Sequence, residues 1–363
     1  MKNEMNLFNK YNLGNIELKN RVVMAPLTRS RAENNIPNGL MAKYYQQRAS
    51  AGLIISEGTS PSPNGIGYIR IPGAYSDKQI EGWKKVANAV HSKDGKIFVQ
   101  LMHTGRITPK ANMPEGSVTL APSSILAAGE MFTKNGMVAH EIPRAMTLEE
   151  IESTQNEYVL AAKRLISEAG IDGVELHAAN GYLMNQFIDP KSNQREDQYG
   201  GSIVNRTRFV LETAQKVADE IGGGKVGIRL SPYGAFNDMQ SDYEELEGTF
   251  IHLSQELAKI NLAYIHIVDQ RIAFGAPDFT IDIKKIIKEN FKGVVISGGD
   301  VNTQEKAEAI LESGLDLVYV GRPFISNPDV VRKLQNNLEL ASPDSNTFYS
   351  PGEKGYTDYP FAS

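Results

Sequence analysis

Two glycine-rich turns late in the chain have the makings of an anion grip: Ser297-Gly298-Gly299-Asp300 and Gly321-Arg322. Glycine lets backbone N–H groups approach an anion, and the arginine adds a fixed positive fork. That chemistry is phosphate binding. The Asp300 side chain would repel a phosphate, so its share is its backbone N–H. Read plainly, the same residues are ordinary turns with Asp300 as a helix cap. Four further side chains, Gln100, His177, Tyr182 and Arg229, stand at or just beyond the ends of other short apolar runs. Each has an ordinary reading as well. Gln100 could satisfy a backbone group, His177 could be a core histidine, Arg229 could pair with Glu175, and Tyr182 could be loop packing. Gathered at one place they exceed what stability requires, because buried polar groups cost free energy unless satisfied. His103 and Arg106 follow the same pattern but open a long insertion.

An uninterrupted alternation of strand and helix must position these groups. Apolar runs at 22–24, 53–57, 96–101, 173–177, 226–230, 264–268, 294–297 and 317–320 read as strands. They are short and continuously apolar, as parallel buried strands are. Helical patterns at 40–51, 77–93, 147–169, 204–221, 242–260, 281–290 and 303–313 lie between and after them. Asp77 is the expected cap of the second. Thr147 and Glu150 form a capping box for the third. A last helix is expected near Asn327-Pro328, with proline at its first position. Eight such units argue for a closed (β/α)8 TIM barrel. An open doubly wound sheet is the rival, but no G-x-G-x-x-G follows the first strand. Residues 1–21 precede the barrel, and Gly14-Asn15 is placed to turn a hairpin that caps its bottom. A polar, Gly/Pro-rich insertion runs from 104 to 144. No repeat or linker interrupts the chain, so 1–363 reads as one domain. In such a barrel catalytic groups gather at the C-terminal ends of the strands, and phosphates bind after strands 7 and 8.

The chain contains no cysteine, which removes disulfides, thiolate metal sites, iron–sulfur clusters, cysteine nucleophiles and thioether cofactors. Its histidines show no mutual ligand spacing, so no catalytic metal is expected. Lys+Arg 38 against Asp+Glu 43 gives a net charge of −5, which argues against a nucleic-acid binder. The first ten residues are polar, and no apolar run approaches the roughly 18 residues that span a bilayer, so a cytoplasmic protein without membrane partners is expected.

At this spacing the motifs resemble the Old Yellow Enzyme family of FMN-dependent ene-reductases, over nearly the whole chain. They are Met24-Ala-Pro-Leu-Thr-Arg-Ser-Arg31, Gln100-Leu-Met-His-Thr-Gly-Arg106, Gly173-Val-Glu-Leu-His-Ala-Ala-Asn-Gly-Tyr-Leu183, Ser192-Asn-Gln-Arg-Glu-Asp-Gln-Tyr-Gly-Gly-Ser202, Asn205-Arg206, Tyr319-Val-Gly-Arg322, Ile325-Ser-Asn-Pro-Asp329 and Thr347-Phe-Tyr349. The bacterial N-ethylmaleimide reductase and nitrate-ester reductase branch looks closest. The resemblance implies a non-covalent FMN, reduced by NADPH or NADH. The reduced flavin then passes hydride from N5 to the activated C=C bond of an α,β-unsaturated carbonyl or nitro compound. Reduction of nitro groups or nitrate esters is a further implied activity. A phosphosugar enzyme, or a flavin-binding protein without turnover, is the alternative.

The same resemblance implies roles residue by residue. Pro26, Leu27 and Thr28 match the segment along the flavin, with Thr28 also facing substrate, and Gly58 matches a small residue near the ring edge. Gln100 and Arg229 match the groups at its pyrimidine side, where a fixed positive charge favours the anionic reduced form. Gly299, Asp300, Gly321 and Arg322 match the phosphate grip, and Phe348 matches an aromatic at the dimethylbenzene end. His177 and Asn180 match the pair that holds the substrate's oxygen, His177 also contacting the cofactor. Tyr182 matches the proton donor, still protonated at pH 7 from an unperturbed pKa near 10. Tyr68, Phe236 and Tyr349 match substrate-pocket aromatics. Met102 stands where many relatives carry Trp, and Thr28 where one branch carries Cys. A monomer or homodimer is expected.

Overall fold

Parallel strands joined by helical crossovers form a sheet that either stays open or closes on itself. In the computed structural model, which describes residues 6–269 and 275–362, it closes. A hairpin of β1 (Tyr11–Leu13) and β2 (Ile16–Leu18) comes first. The barrel is then built from β3 (Val22–Met24), β4 (Leu53–Ile55), β5 (Ile97–Leu101), β10 (Gly173–Ala178), β11 (Val226–Leu230), β12 (Tyr264–Ile267), β13 (Val295–Gly299) and β14 (Leu317–Val320), in that order around the ring. The insertion supplies β6 (Leu120–Ala121), β7 (Glu130–Thr133), β8 (Gly136–Ala139) and β9 (Arg144–Ala145), paired as β6–β9 and β7–β8 outside the barrel. The helices are α1 (Gly39–Gln47), α2 (Asp77–His91), α3 (Leu148–Ser167), α4 (Leu183–Ile188), α5 (Ile203–Ile221), α6 (Leu246–Ile260), α7 (Ile283–Phe291), α8 (Gln304–Glu312), α9 (Pro323–Ser326) and α10 (Val330–Gln335).

Alternation along each strand sorts its side chains into two environments. Val22, Met24, Ile97, Val99, Val174, Leu176, Val226, Ile228 and Ile265 belong to the core shared with the helices. Val23, Leu53, Phe98, Tyr264 and Leu317 form a second buried cluster, which Leu13 and Leu18 of the hairpin join. The expected N-terminal hairpin is therefore present and closes an apolar lower layer. The next inward positions are polar: Gln100, Glu175, Arg229 and His266. Strand register places them together, since Glu175 pairs with Gln100, His177 with Arg229, and Arg229 with His266.

The Thr147–Glu150 capping box is present. Three other helix starts differ from the sequence expectation. Ser76, not Asp77, caps α2, because Ser76 and Gln79 bond reciprocally. Asp77 falls in the first turn, where its charge suits the helix dipole. Helix α6 starts at Leu246 rather than 242, because Gln240 N–H is taken by Asp189 at 2.7 Å and Glu245 by Arg206 at 2.6 Å. The last segment begins at Pro323, four residues before Asn327. The Asn327 carboxamide then ties Pro323 to Ala341, with bonds of 2.8 to 2.9 Å, and α10 restarts after it.

Candidate active site

The polar layer of the barrel is wired around Glu175. Gln100 Nε2 donates to Glu175 Oε1 at 2.7 Å, and His266 Nδ1 lies 2.9 Å from Glu175 Oε2. Burial works against the Glu175 charge, but His266, Arg229 and the Gln100 amide outweigh it and hold the carboxyl below its usual range. Burial drives the His266 ring the other way, toward the neutral form, so its Nδ1–H donates. A carboxylate only accepts, so the Gln100 amide nitrogen is committed to it and Oε1 is left for a ligand. The expected alternative of an Arg229–Glu175 ion pair is not formed. Glu175 is taken by its two neighbours, and Arg229 Nε is buried without a hydrogen-bond partner. The guanidinium instead faces the Tyr319 ring, 5.9 Å from its centroid. A buried cation left this way points to an occupant not drawn from the protein.

A cavity of about 390 Å³ opens beside it. Pro26, Leu27, Arg229, Gly299, Asp300, Gly321 and Arg322 all border it, so seven of the expected cofactor residues converge. Gly299 has φ +139, and a Cβ there would stand 2.5 Å from Asp269 Oδ2, so only glycine fits. Phe348 borders an adjoining groove of about 830 Å³ that shares Asn302, Arg322 and Pro323 with this cavity. Thr28, Gly58 and Gln100 border neither. Gly58 is covered by Met102, whose Sδ is 2.6 Å from where a Cβ would lie.

The turn after β10 sets out the remaining groups. Asn180 and Gly181 are left-handed in succession, with φ +57 and +74, a conformation asparagine and glycine tolerate. Asn180 N–H donates to Ser231 Oγ and Gly181 N–H to Asn185 Oδ1, both at 2.9 Å. Gln186 ties this turn to the loop after β5 through Gly181 O, Thr104 O and Arg106 N–H. Ala179 N–H donates to His177 Nδ1 at 3.3 Å, which places the ring proton on Nε2. Burial first, then Arg229, pushes His177 well below its ordinary pKa, so it is neutral at pH 7. The Asn180 carboxamide has no protein partner among the described residues. Tyr182 stands edge-on to the His177 ring at 4.8 Å, and burial holds its hydroxyl in the protonated form. Two neutral donors and one acid thus share a corner of the barrel mouth.

Around that corner Met102 is buried in a cluster with Tyr182, Ile66 and Ile107, while Tyr68 packs at its edge. Phe236 and Tyr349 are exposed. Arg29 and Arg31 follow the segment expected along the flavin and carry no expected role of their own. Both are buried, and they hold the C-terminal segment that carries Phe348 and Tyr349 through its backbone carbonyls. Asp269 and His266, at the end of the sixth barrel strand, and Asn237, donating to Asn180 O at 2.8 Å, also border the site, and no sequence motif marks them. An ending at that sixth strand was the available signal; Asn237 lies in a loop and gave none.

Burial of neutral histidines has a consequence for stability. His103, fully enclosed, is pushed by burial to about 3. The unfolded chain protonates it below about 6.5, and the folded chain does not until pH 3. Its contribution is therefore complete above 6.5 and lost as pH falls through that window. The unfolding free energy of His103→Gln should vary less steeply than that of the wild type between pH 6 and 4, by about 1.4 kcal/mol per pH unit. Parallel urea-unfolding curves for the two proteins across that range would refute this.

The model of the NADH:flavin oxidoreductase / NADH oxidase family matches residues 6–341. The chain belongs to this family. Solved structures similar to it include morphinone reductase, with TM-score 0.94 and 41% identity over 99% of this chain and 97% of that one. The Old Yellow Enzyme homologue from Zymomonas mobilis has TM-score 0.93 and 38% identity over 98% and 99%. A probable flavin mononucleotide-dependent alkene reductase of Leishmania infantum is 41% identical over 96% of this chain and 95% of its own. The protein is thus an FMN-dependent oxidoreductase of the Old Yellow Enzyme type on a (β/α)8 barrel. The residues present fit that cofactor: Arg229, whose buried Nε has no hydrogen-bond partner among the described residues, borders a glycine-lined cradle with Arg322. Among the described residues no cluster suits a metal ion, and no helix is long and apolar enough to cross a membrane.

Proposed function

We propose that this Old Yellow Enzyme-type protein is an NAD(P)H-dependent ene-reductase acting on C=C bonds conjugated to a carbonyl or nitro group. When bound, FMN would supply hydride chemistry between NADPH or NADH and the substrate's β-carbon. Pro26, Leu27, Thr28, Gly58, Gln100, His177, Arg229, Gly299, Asp300, Gly321, Arg322 and Phe348 would hold it. The observation that carries the reading is the neutral His177 with its proton on Nε2, at the end of β10, followed on the next turn by an Asn180 carboxamide without a protein partner among the described residues and by the protonated Tyr182. His177 and Asn180 bind the substrate's oxygen and stabilise the negative charge that develops on it. Tyr182 then gives its proton to the α-carbon. Thr28, Tyr68, Met102, Phe236 and Tyr349 border the substrate, and Met102 leaves more room than a Trp would.

Relatives named alkene reductase and 12-oxophytodienoate reductase support alkene reduction, and a morphinone reductase structure in complex with tetrahydroNAD supports a nicotinamide reductant. The proposal extends to nitro and nitrate-ester acceptors, as in the N-ethylmaleimide reductase branch. It treats the chain as one cytoplasmic FMN-binding domain. An anaerobic assay tests it: NADPH or NADH bleaches the flavin, and 2-cyclohexenone restores the colour. Bleaching without recovery on any enone or nitroalkene would mean flavin binding without this turnover.

A further inference from the structure

The Tyr182 hydroxyl is engaged before any substrate arrives. It lies 2.8 Å from the Tyr68 hydroxyl, with the rings edge to face at 6.1 Å. Tyr182 is 7% exposed and Tyr68 half-buried, and burial pushes the Tyr68 hydroxyl up as it does that of Tyr182. The Asn237 side chain borders both hydroxyls while bonded to Asn180 O. Two phenols that share one hydrogen bond allow two directions. Tyr182 can hand its own proton to a substrate only in the direction where Tyr68 donates to the Tyr182 oxygen.

We propose that Tyr68 is the relay that refills Tyr182 as it protonates the substrate. This rests on the ene-reductase reading. At the α-carbon a C–H bond forms from the enolate electron pair and the Tyr182 proton. The Tyr182 O–H bond breaks and is remade with the Tyr68 proton. The Tyr68 O–H bond breaks, and water reprotonates that oxygen from the solvent side. Each turnover therefore consumes one solvent proton. A phenolate left at Tyr182 would be buried without a countercharge; burial opposes the charge at Tyr68 as well, and the shift moves it to the less enclosed residue of the pair. Tyr68 acts through Tyr182 and is a positioning and relay residue.

The test follows reoxidation of the NADPH-reduced holoenzyme by 2-cyclohexenone in mixtures of H2O and D2O. Two protons moving together give a curved dependence of rate on deuterium fraction in the wild type. Tyr68→Phe keeps the ring, removes the relay, and should give a straight line and a rate about tenfold lower. A straight line in the wild type, which needs no variant, overturns the relay, as does unchanged curvature in Tyr68→Phe. If enone fails to reoxidise the wild-type flavin, the ene-reductase reading falls and the relay with it. If enone reoxidises it and Tyr182→Phe is slow while Tyr68→Phe matches the wild type, the relay alone falls.

Discussion

Tyr182→Phe is expected to slow enone reduction by about 10²- to 10⁴-fold, the range supplied by a positioned general acid. Flavin bleaching by NADPH should stay within about twofold of the wild type, because that half-reaction needs no proton from Tyr182. The variant deletes one oxygen from a side chain whose ring packs against His177 at 4.8 Å and Tyr68 at 6.1 Å. Ring packing survives, so the fold and the oxyanion pair should be undisturbed. Rapid-mixing measurement of the two half-reactions separates them. Equal enone rates in variant and wild type would remove Tyr182 from the proton-donor role. Loss of both half-reactions together would point to a damaged cofactor site instead.

Arg31→Ala is expected to lower stability by about 3 to 5 kcal/mol and to free the C-terminal segment. Arg31 is 2% exposed and spends its donors on backbone carbonyls: Arg29 O and Phe348 O at 2.6 Å, Thr347 O at 2.8 Å and Lys354 O at 3.1 Å. It also lies 4.8 Å over the Tyr356 ring. Burial, with Arg29 adding to it, lowers its pKa to about 10, so it is still a cation at pH 7. Hydrogen bonds to a charged group contribute about 1.5–3 kcal/mol each, and buried carbonyls left without donors add a desolvation penalty. Arg29, bonded to Phe348 O and Gly355 O, retains part of the clasp, which bounds the loss. Limited proteolysis should show new cleavage between Asp344 and Tyr356, and the urea midpoint should fall. An unchanged digest with an unchanged midpoint would refute the clasp. Since Phe348 and Tyr349 ride on this segment, weaker FMN retention should accompany the loss.

Much of the barrel was legible because its period is short. Eight apolar runs separated by helical stretches leave few topologies, and the Thr147 capping box is a contact three residues long. Local rules failed where a neighbour competed. Ser76 outcompeted Asp77 by one residue because Gln79 could reciprocate. Asn327 became a tie between segments rather than a helix start, through a bond to Ala341 that no local pattern announces. The insertion read as polar loop, yet Ile107, Ala127 and Met131 from it enclose Tyr182.

The sequence by itself excluded thiol chemistry, since it has no cysteine, and it placed Gln100, His177, Tyr182 and Arg229 at strand ends by counting alone. It also carried the two glycine turns as a pair. Only the tertiary structure decided which partner each polar group takes. Glu175 could have met Arg229, but strand register sets Gln100 beside it and the His266 ring reaches its other oxygen, and Arg229 is left facing a cavity. It likewise decided that His177 carries its proton on Nε2 and that Tyr182 touches Tyr68, 114 residues away in sequence. The physical reason is that side-chain type and period are local, whereas hydrogen bonds and desolvation depend on which atoms barrel closure brings within about 3 Å.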